Sequence, residues 1–215
     1  MAFLDALVTD PEYQDKPEQS SRPFDKKRSG FIPSHGSATL ILEDLEHARK
    51  RGAKIYAEIL AVGANSNENH LPIPSADAQM HLMKAIIQRA GIKPEEIDYV
   101  NCHATGTPLG DLNELTAIKG ALGKHIYNIK LNAPKSMMGH TTWGAALVET
   151  ISGVLQINHG KLHGTTNIDD LDEEVDVDVC QNGSIDYPVN IMLKNSFGFG
   201  GLNSCSLIKR YEEGK

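Results

Sequence analysis

The feature that most restricts the fold of this chain is a regular alternation of apolar, strand-like segments with helix-like segments. Segments with the composition of β-strands lie at 36–42, 54–64, 97–100, 127–131, 190–194 and 204–209. Segments with helical spacing lie between them at about 43–53, 77–90, 110–121 and 140–158. Strands that alternate with helices predict an α/β fold with a mixed or parallel sheet.

Charge is distributed unevenly along the chain. Lys and Arg total 21 against 28 Asp and Glu, a net charge of −7, which argues against a general nucleic-acid binder. Residues 169–178 hold seven acids and no base, and without them the chain carries 21 of each sign. This stretch lacks the central glycine and the spacing of an EF-hand loop, so it predicts a solvated loop rather than a calcium site.

Composition narrows the cellular setting. Apolar runs stay well short of 18 residues, so no membrane span is expected, and the first residues do not resemble a signal peptide. The three cysteines form neither a zinc pattern nor a disulfide framework. We expect a cytoplasmic protein without a bound metal. Residues 1–35 predict a helical turn, a polar loop and a connecting segment, and residues 36–215 the main domain.

Three polar clusters each follow an apolar strand, in turns rich in glycine, threonine and serine. They are residues 101–108 (NCHATGTP), 135–140 (KSMMGH) and 195–201 (NSFGFGG). Ligands of open α/β sheets bind beyond the carboxyl ends of the strands. We therefore expect the three turns to converge on one pocket.

Two of these clusters contain histidines suited to proton or oxyanion chemistry. His103 follows a strand directly, where it is well placed to move a proton or to donate to an oxyanion. His140 is predicted to start the third helix, whose positive end favours a neutral imidazole. A buried pair of Lys135 and Glu149 would hold the geometry. The alternatives are a histidine that bonds only a loop backbone, and two surface charges beside a helix cap.

The third cluster places three glycines around two aromatic residues. Such a turn is suited to aiming backbone N–H groups at an anion or a carbonyl oxygen. The alternative is a β-hairpin whose phenylalanines lie in the core. The chain has no GxxxxGK[ST] motif, and no GxGxxG motif opens a helix, so a nucleotide-phosphate loop is not predicted.

Together the clusters resemble the C-terminal half of β-ketoacyl synthases, the condensing enzymes of fatty-acid and polyketide assembly. RPFDKKRSGF at 22–31 is similar to the family's RPFD-x-x-R-x-GF, and HATGTPLGD at 103–111 is similar to HGTxTxxGD. KSMMGH at 135–140 resembles KSxxGH, with Glu149 at the matching position, and NSFGFGGLN at 195–203 resembles NSFGFGGxN. The four motifs occur in the family's order and spacing, which makes the resemblance specific.

The resemblance implies a thiolase-like αβαβα fold, built from two similar halves that each contain a mixed sheet with flanking helices. It also implies an acyltransferase that performs a decarboxylative Claisen condensation. Malonyl on an acyl carrier protein loses CO2, and the carbanion attacks an acyl thioester held on a cysteine. The phosphopantetheine belongs to the carrier protein, and no cofactor of the chain itself is implied.

The resemblance also assigns roles to residues. His103 and His140 would bond the malonyl thioester oxygen, with His103 also available for proton chemistry, and Lys135 and Glu149 would support them. The remaining assignments are Thr105 and Thr107 to the pantetheine arm, and Phe199, with Gly198 and Gly200, to an oxyanion hole and gate.

The sequence departs from the family at the nucleophile and in one glycine-rich stretch. The catalytic cysteine belongs to the family's N-terminal half, and Cys102, Cys180 and Cys205 do not match it. Cys102 would point away from the face that His103 addresses. PSHGSA at 33–38 differs from the family's Gly-Glu-Gly-rich version.

Because the chain begins after the nucleophile's position, we expect a separate partner chain that carries the N-terminal half. The two would form a heterodimer or a heterotetramer. The alternatives are a malonyl-carrier-protein decarboxylase subunit, a non-catalytic chain-length or scaffold subunit, and an inactive truncated product. Candidate docking charges for an acidic carrier protein are Lys26, Lys27, Arg28, Arg49, Lys50 and Arg51. For any single one of them, a solvated loop or helix end is the favoured explanation.

Overall fold

The computed structural model describes residue 7 and residues 11–13, 15–67 and 73–213. Apart from Leu7, the predicted helical turns at 1–8 lie outside the described residues. The strands are β1 (Ala57–Ser66), β2 (Tyr99–Asn101), β3 (Lys130–Asn132), β4 (Lys161–Leu162), β5 (Ile185–Asp186), β6 (Ile191–Phe197) and β7 (Leu202–Arg210). The helices are α1 (Leu45–Lys50), α2 (Ala76–Ala90), α3 (Pro108–Leu122), α4 (Lys135–Met138) and α5 (Ala145–His159). This order confirms the predicted alternation.

The main sheet is mixed, as predicted. Its strand order is β1–β7–β6–β2–β3, and β4 pairs with β5 in a separate two-stranded sheet. β2 runs parallel to β3 and β6, whereas β7 is antiparallel to both β1 and β6. The carboxyl ends of β2, β3 and β6 therefore lie at one edge of the sheet.

Alternate residues of each strand point to opposite faces of the sheet. On one face Val100 and Leu193 join a large core formed with α2 and α3. On the other face Tyr99 and Met192 pack against Ile157 of α5. The sheet is thus covered by helices on both faces, and α5 lies with one side on the sheet and the other toward solvent.

The predicted buried strand at 36–42 is wrong. Residues 36–43 have no regular secondary structure, and within the described part of the chain they pair with no strand. Ile41 is 79% exposed and Leu42 is 70% exposed. Apolar, β-branched residues favour an extended backbone, but a strand forms only beside a hydrogen-bonding neighbour, and the described sheet does not offer one here.

The acidic stretch 169–178 is only partly the solvated loop that its composition predicts. Val175 and Val177 alternate with the acids and are buried in the core. The ion pairs of its carboxylates are Asp169–Arg22, Asp172–Arg28, Glu173–Lys26, Asp176–Lys119 and Asp178–Lys130. The stretch is therefore packed on the domain, and five of its seven acids pair with bases distant in sequence.

None of the helices in the described ranges is long and apolar enough to span a membrane.

Candidate active site

The turns after β2, β3 and β6 meet at the shared sheet edge, as the strand-end argument predicts. The ring of His103, after β2, lies 5.7 Å from the ring of His140 and 5.6 Å from the ring of Phe197, centroid to centroid. Lys135, after β3, places its Nζ 3.3 Å from Nδ1 of His103. Parallel, adjacent strands thus bring residues that are far apart in sequence into one cluster.

Lys135 and Glu149 form the buried pair that the sequence predicts. Lys135 Nζ lies 2.5 Å from Glu149 Oε1, and each side chain is 1% exposed. Burial lowers the pKa of Lys135, whereas the charge of Glu149 opposes that shift. For Glu149, burial acts to raise the pKa, but Lys135 and Lys194 outweigh it, so the carboxylate stays ionised.

The contacts of Lys135 determine which nitrogen of His103 carries the proton. The ammonium has only donors, and it also donates to the His103 backbone oxygen at 2.5 Å, so Nδ1 must accept. The proton of the neutral ring then lies on Nε2. Burial, followed by the positive charge of Lys135, lowers the pKa of His103 well below its usual range.

His140 has the same tautomer for a different reason. The backbone N–H of Thr142 donates to His140 Nδ1 at 3.1 Å, which leaves Nε2 as the donor. Burial and then the charge of Lys135 lower the pKa of His140 to about 4. The predicted neutral imidazole is therefore found, but the predicted cause is wrong, because the helix begins at Ala145 and not at His140.

The backbone around His140 is held by an extended segment of the N-terminal region. His140 N donates to Ile32 O at 2.7 Å, and Ser34 N donates to His140 O at 2.9 Å. Gly139 has a φ of 68°, and a Cβ there would lie 3.0 Å from the Ile32 oxygen. A side chain at Gly139 would thus displace the histidine loop.

Thr105 and Thr107 lie together at the entrance to α3. Their hydroxyl oxygens are 3.0 Å apart, and Asp111 accepts from Gly106 N at 3.0 Å and from Phe24 N at 2.9 Å. Burial raises the pKa of Asp111 to about 6. The aspartate of the HATGTPLGD motif therefore holds the threonine loop in place through the backbone N–H of Gly106.

Sequence reasoning missed Glu114, which lies one helical turn after Asp111. Its carboxylate accepts from the backbone N–H of His103 at 2.8 Å and of Ala104 at 2.7 Å, and from Asn195 Nδ2 at 2.9 Å. The available signal was an acid three residues after Asp111, on the same face of a helix that begins at the histidine loop.

Sequence reasoning also missed Lys194, a buried lysine near the end of β6. Its Nζ lies 2.8 Å from Glu149 Oε2, and its side chain is 2% exposed. Lys194 lies two residues after Met192 in β6, so both side chains point to the same face of the sheet, the one that α5 covers. A lysine inside the apolar segment IMLK was the visible signal, since lysines are almost never fully buried unless they are paired.

The third turn is a hairpin between β6 and β7, which was the alternative to an anion-binding turn. Gly198 N donates to Leu202 O at 2.7 Å, and Gly200 has a φ of 79°. The ring beside His103 belongs to Phe197, whereas Phe199 lies in the turn and is 43% exposed. The roles given to Phe199, Gly198 and Gly200 remain predictions.

All three cysteines of the chain are buried. Cys102 lies in the core on the α2–α3 side, away from His103 as expected, and burial raises its pKa well above the usual value. Burial raises the pKa of Cys180 to about 12 and also raises that of Cys205. A buried, protonated thiol is a poor nucleophile, so the cysteines do not serve this site.

The structure changes the list of candidate docking charges. Arg28 is buried, and its Nη1 lies 2.6 Å from Asp172 Oδ2, so it is not available to a partner. Lys26 and Lys27 are surface residues with acidic neighbours, Glu173 and Glu12. Arg49 and Arg51 are paired with Glu46 and Glu43, and Lys50 is exposed beside them on α1.

Two neutral histidines with free Nε2–H groups, supported by a buried lysine and glutamate at a sheet edge, can stabilise negative charge on one oxygen. The mixed sheet that carries this arrangement, with helices on both faces, is of the thiolase-like fold class. Residues 56–169 match the family model described as β-ketoacyl synthase, C-terminal domain. The chain belongs to the β-ketoacyl synthase family.

Relatives of known name and solved structures agree with this assignment. The chain is 40% identical over 198 residues to 3-oxoacyl-[acyl-carrier-protein] synthase 2 of Coxiella burnetii, covering 91% of this chain and 48% of the relative. It is 43% identical over 192 residues to the chloroplastic synthase I of Arabidopsis thaliana, covering 88% and 40%.

Two ketosynthase structures superpose closely. A type II polyketide ketosynthase in complex with its acyl-carrier protein has a TM-score of 0.93 and 33% identity, covering 97% of this chain and 51% of that one. A β-ketoacyl synthase from Burkholderia phymatum has a TM-score of 0.91 and 31% identity, covering 97% and 50%. The chain thus spans about half the length of the relatives it matches.

Proposed function

We propose that this chain is the histidine-bearing half of a β-ketoacyl synthase that condenses malonyl-carrier protein with an acyl thioester in fatty-acid or polyketide biosynthesis. The observation that carries the proposal is the pair of imidazoles of His103 and His140, both neutral and both with Nε2–H as the remaining donor. Their centroids are 5.7 Å apart, close enough for one oxygen to accept a hydrogen bond of about 2.9 Å from each ring.

In the proposed reaction these two donors act on the thioester oxygen of the malonyl group. The bond between the malonyl carboxylate and the α-carbon breaks, CO2 leaves, and the electron pair moves into an enolate whose oxygen the histidines stabilise. The α-carbon then attacks the acyl carbonyl on a cysteine of the N-terminal half, and that cysteine leaves as a thiolate. Preorganised donors of this kind are worth about 10²–10³ in kcat each.

The surrounding residues support that geometry. Lys135 and Glu149 hold His103 in its Nε2–H tautomer, and the hydroxyls of Thr105 and Thr107 face the path of a pantetheine arm. Phe199, in the glycine turn with Gly198 and Gly200, supplies a backbone N–H to the acyl oxyanion and a ring that gates entry. The phosphopantetheine remains on the acyl carrier protein.

The nucleophile comes from an N-terminal half, which we place on a separate chain. The buried cysteines of this chain are unsuited to the role, and its relatives are about twice as long. We expect such a half to cover exposed apolar residues of this chain, which include Ile41, Leu42, Trp143, and Leu147 and Leu155 on α5. The assembly would be a heterodimer or a pair of heterodimers.

The test is a reconstitution with a ketosynthase N-terminal half, assayed for release of CO2 and for formation of the β-ketoacyl product. His140→Ala should lower both rates by about 10²–10³ because it removes one donor to the enolate. His47→Ala, an exposed histidine on α1, should leave both unchanged.

The outcome also separates the alternatives. CO2 release without condensation would identify a decarboxylase subunit. Full activity of His140→Ala would leave only the chain-length or scaffold role and would overturn the proposal.

A further inference from the structure

The buried cluster at the site contains a second lysine that the proposed reaction does not require as a ligand of substrate. Lys194 Nζ donates to Glu149 Oε2 at 2.8 Å, to Ser196 Oγ at 3.1 Å, and to the Asn195 backbone oxygen. An ammonium has three N–H donors, so these acceptors use all of them. Lys194 is therefore fixed in position and does not face the substrate with a free donor.

Glu149 is consequently held between two ammonium groups. Lys135 lies at Oε1 and Lys194 at Oε2, both in a region excluded from solvent. Lys135, Lys194 and Glu149 together carry one net positive charge, which the buried acid Glu114 opposes. Glu114, on α3, is the other buried acid of the cluster, and its oxygens bond the backbone N–H groups of His103 and Ala104.

This charge arrangement bears directly on the histidine donors. A second proton on His103 would lie on Nδ1, against the Lys135 ammonium, and a second proton on His140 would lie against the Thr142 N–H. Either ring would have to turn, and its Nε2–H would then point in a different direction. Nearby positive charge disfavours that protonation, and at short range in a buried site such effects reach one pKa unit or more.

We propose that Lys194 is a positioning residue: it fixes Glu149, and through Glu149 it fixes Lys135, and its charge keeps His103 and His140 in the neutral Nε2–H form. This inference rests on the proposed function for its consequence in the reaction, but the state of the histidines can be measured without any turnover. The groups that face the histidines are Lys135 from α4, Glu149 from α5, Lys194 from β6 and Glu114 from α3.

The test is a titration of the histidine ring signals by NMR, with ¹³C-labelled histidine in the complex with the N-terminal half. Lys194→Met should raise the pKa of His140 above its value of about 4, since it removes a buried positive charge. Glu149→Gln should move it in the opposite direction, since it removes the negative charge. Lys130→Met, which breaks a pair distant from the site, should leave it unchanged.

Shifts of the His140 pKa in opposite directions in Lys194→Met and Glu149→Gln would distinguish positioning from a structural role. Loosened packing would shift this pKa in the same direction in both variants. If Lys194→Met does not fold, Lys194→Gln keeps hydrogen-bond donors, lacks the charge and should give the same upward shift. Unchanged titration in both Lys194 variants would overturn the inference.

Turnover then separates this inference from the proposed function. The acid limb of the pH profile of CO2 release should move to higher pH in Lys194→Met, in the direction of the His140 shift. The expected histidine shifts without any turnover in the unmodified complex would leave the role of Lys194 standing while the proposed function failed. If the unmodified complex turns over but the acid limb does not move in Lys194→Met, the proposed function stands and the role of Lys194 is overturned.

Discussion

Helix α5 buries polar residues on the side that packs on the sheet and exposes leucines on the other side, unlike an ordinary surface helix. The side on the sheet carries Glu149, Gln156 and Ile157, all buried. The side away from the sheet carries Leu147, which is 41% exposed, and Leu155, which is 47% exposed. A surface helix of a globular protein normally turns its apolar stripe inward and its polar residues outward.

This difference leaves apolar side chains of α5 exposed to solvent while its polar residues are buried. The inner side is complete, because its charged groups are paired and its polar groups bond neighbouring strands. The outer side is apolar, and together with Ile41, Leu42 and Trp143 it presents hydrophobic surface of the kind that marks an interface. Under the proposed function, this helix is where we expect the histidine half to meet the half that carries the nucleophile.

The largest effect should come from breaking the charge cluster on the inner side. Glu149→Ala leaves Lys135 and Lys194 buried without their acid, which costs about 3–5 kcal/mol in comparable buried pairs. We expect that loss in the free energy of unfolding measured with urea. Glu46→Ala, on the exposed side of α1, is the matched control and should be nearly neutral. A near-neutral Glu149→Ala would show that the cluster is not closed as described.

The outer side should give the reverse result. Leu155→Asp places a carboxylate on a partly exposed position, so the unfolding free energy of the chain should change by less than about 0.5 kcal/mol. Binding to the N-terminal half should weaken at least about tenfold, because the interface would bury the carboxylate away from water. Titration calorimetry measures this change.

The control for the outer side is Lys84→Asp on α2, which lies on the other face of the sheet. It changes charge by a larger amount but should leave binding unaltered. Equal binding by the Leu155→Asp chain would contradict the assignment of this surface to the partner.

The smallest effect should come from the ion pairs of the acidic stretch 169–178. Lys119 Nζ lies 2.5 Å from Asp176 Oδ1, but the two side chains are 32% and 52% exposed. Exposed pairs typically contribute 0–1 kcal/mol, so Lys119→Met should lower the unfolding free energy by no more than about 1 kcal/mol, with a smaller loss at high salt. A loss as large as that of Glu149→Ala would remove the distinction between the buried and exposed charges.

The fold and the main site residues could be predicted from sequence because their signals are local. Strand composition, helix spacing and glycine stops located the elements of the sheet, and the histidine loops lie at strand ends by the rules of α/β topology. The motif at 135–140, with an acid nine residues later, placed Lys135 beside Glu149.

Contacts that depend on tertiary structure were not predictable in this way. Lys194 is one residue in an apolar strand, and only the alternation of β6 and the position of α5 show that it reaches Glu149. Arg28 looked like a surface charge until its pairing with Asp172, 144 positions away, placed it in the interior. The segment 36–42 has strand composition, but no strand of the described sheet pairs with it.

The central claim is that this chain provides the histidines and another half provides the nucleophile. The most direct measurement is to incubate the reconstituted complex with an acyl-carrier protein bearing a ¹⁴C-labelled acyl group, quench with acid, and locate the label by peptide mapping. We expect a thioester on a cysteine of the N-terminal half and no label on Cys102, Cys180 or Cys205. Label on one of these three cysteines, or condensation by this chain alone, would contradict it.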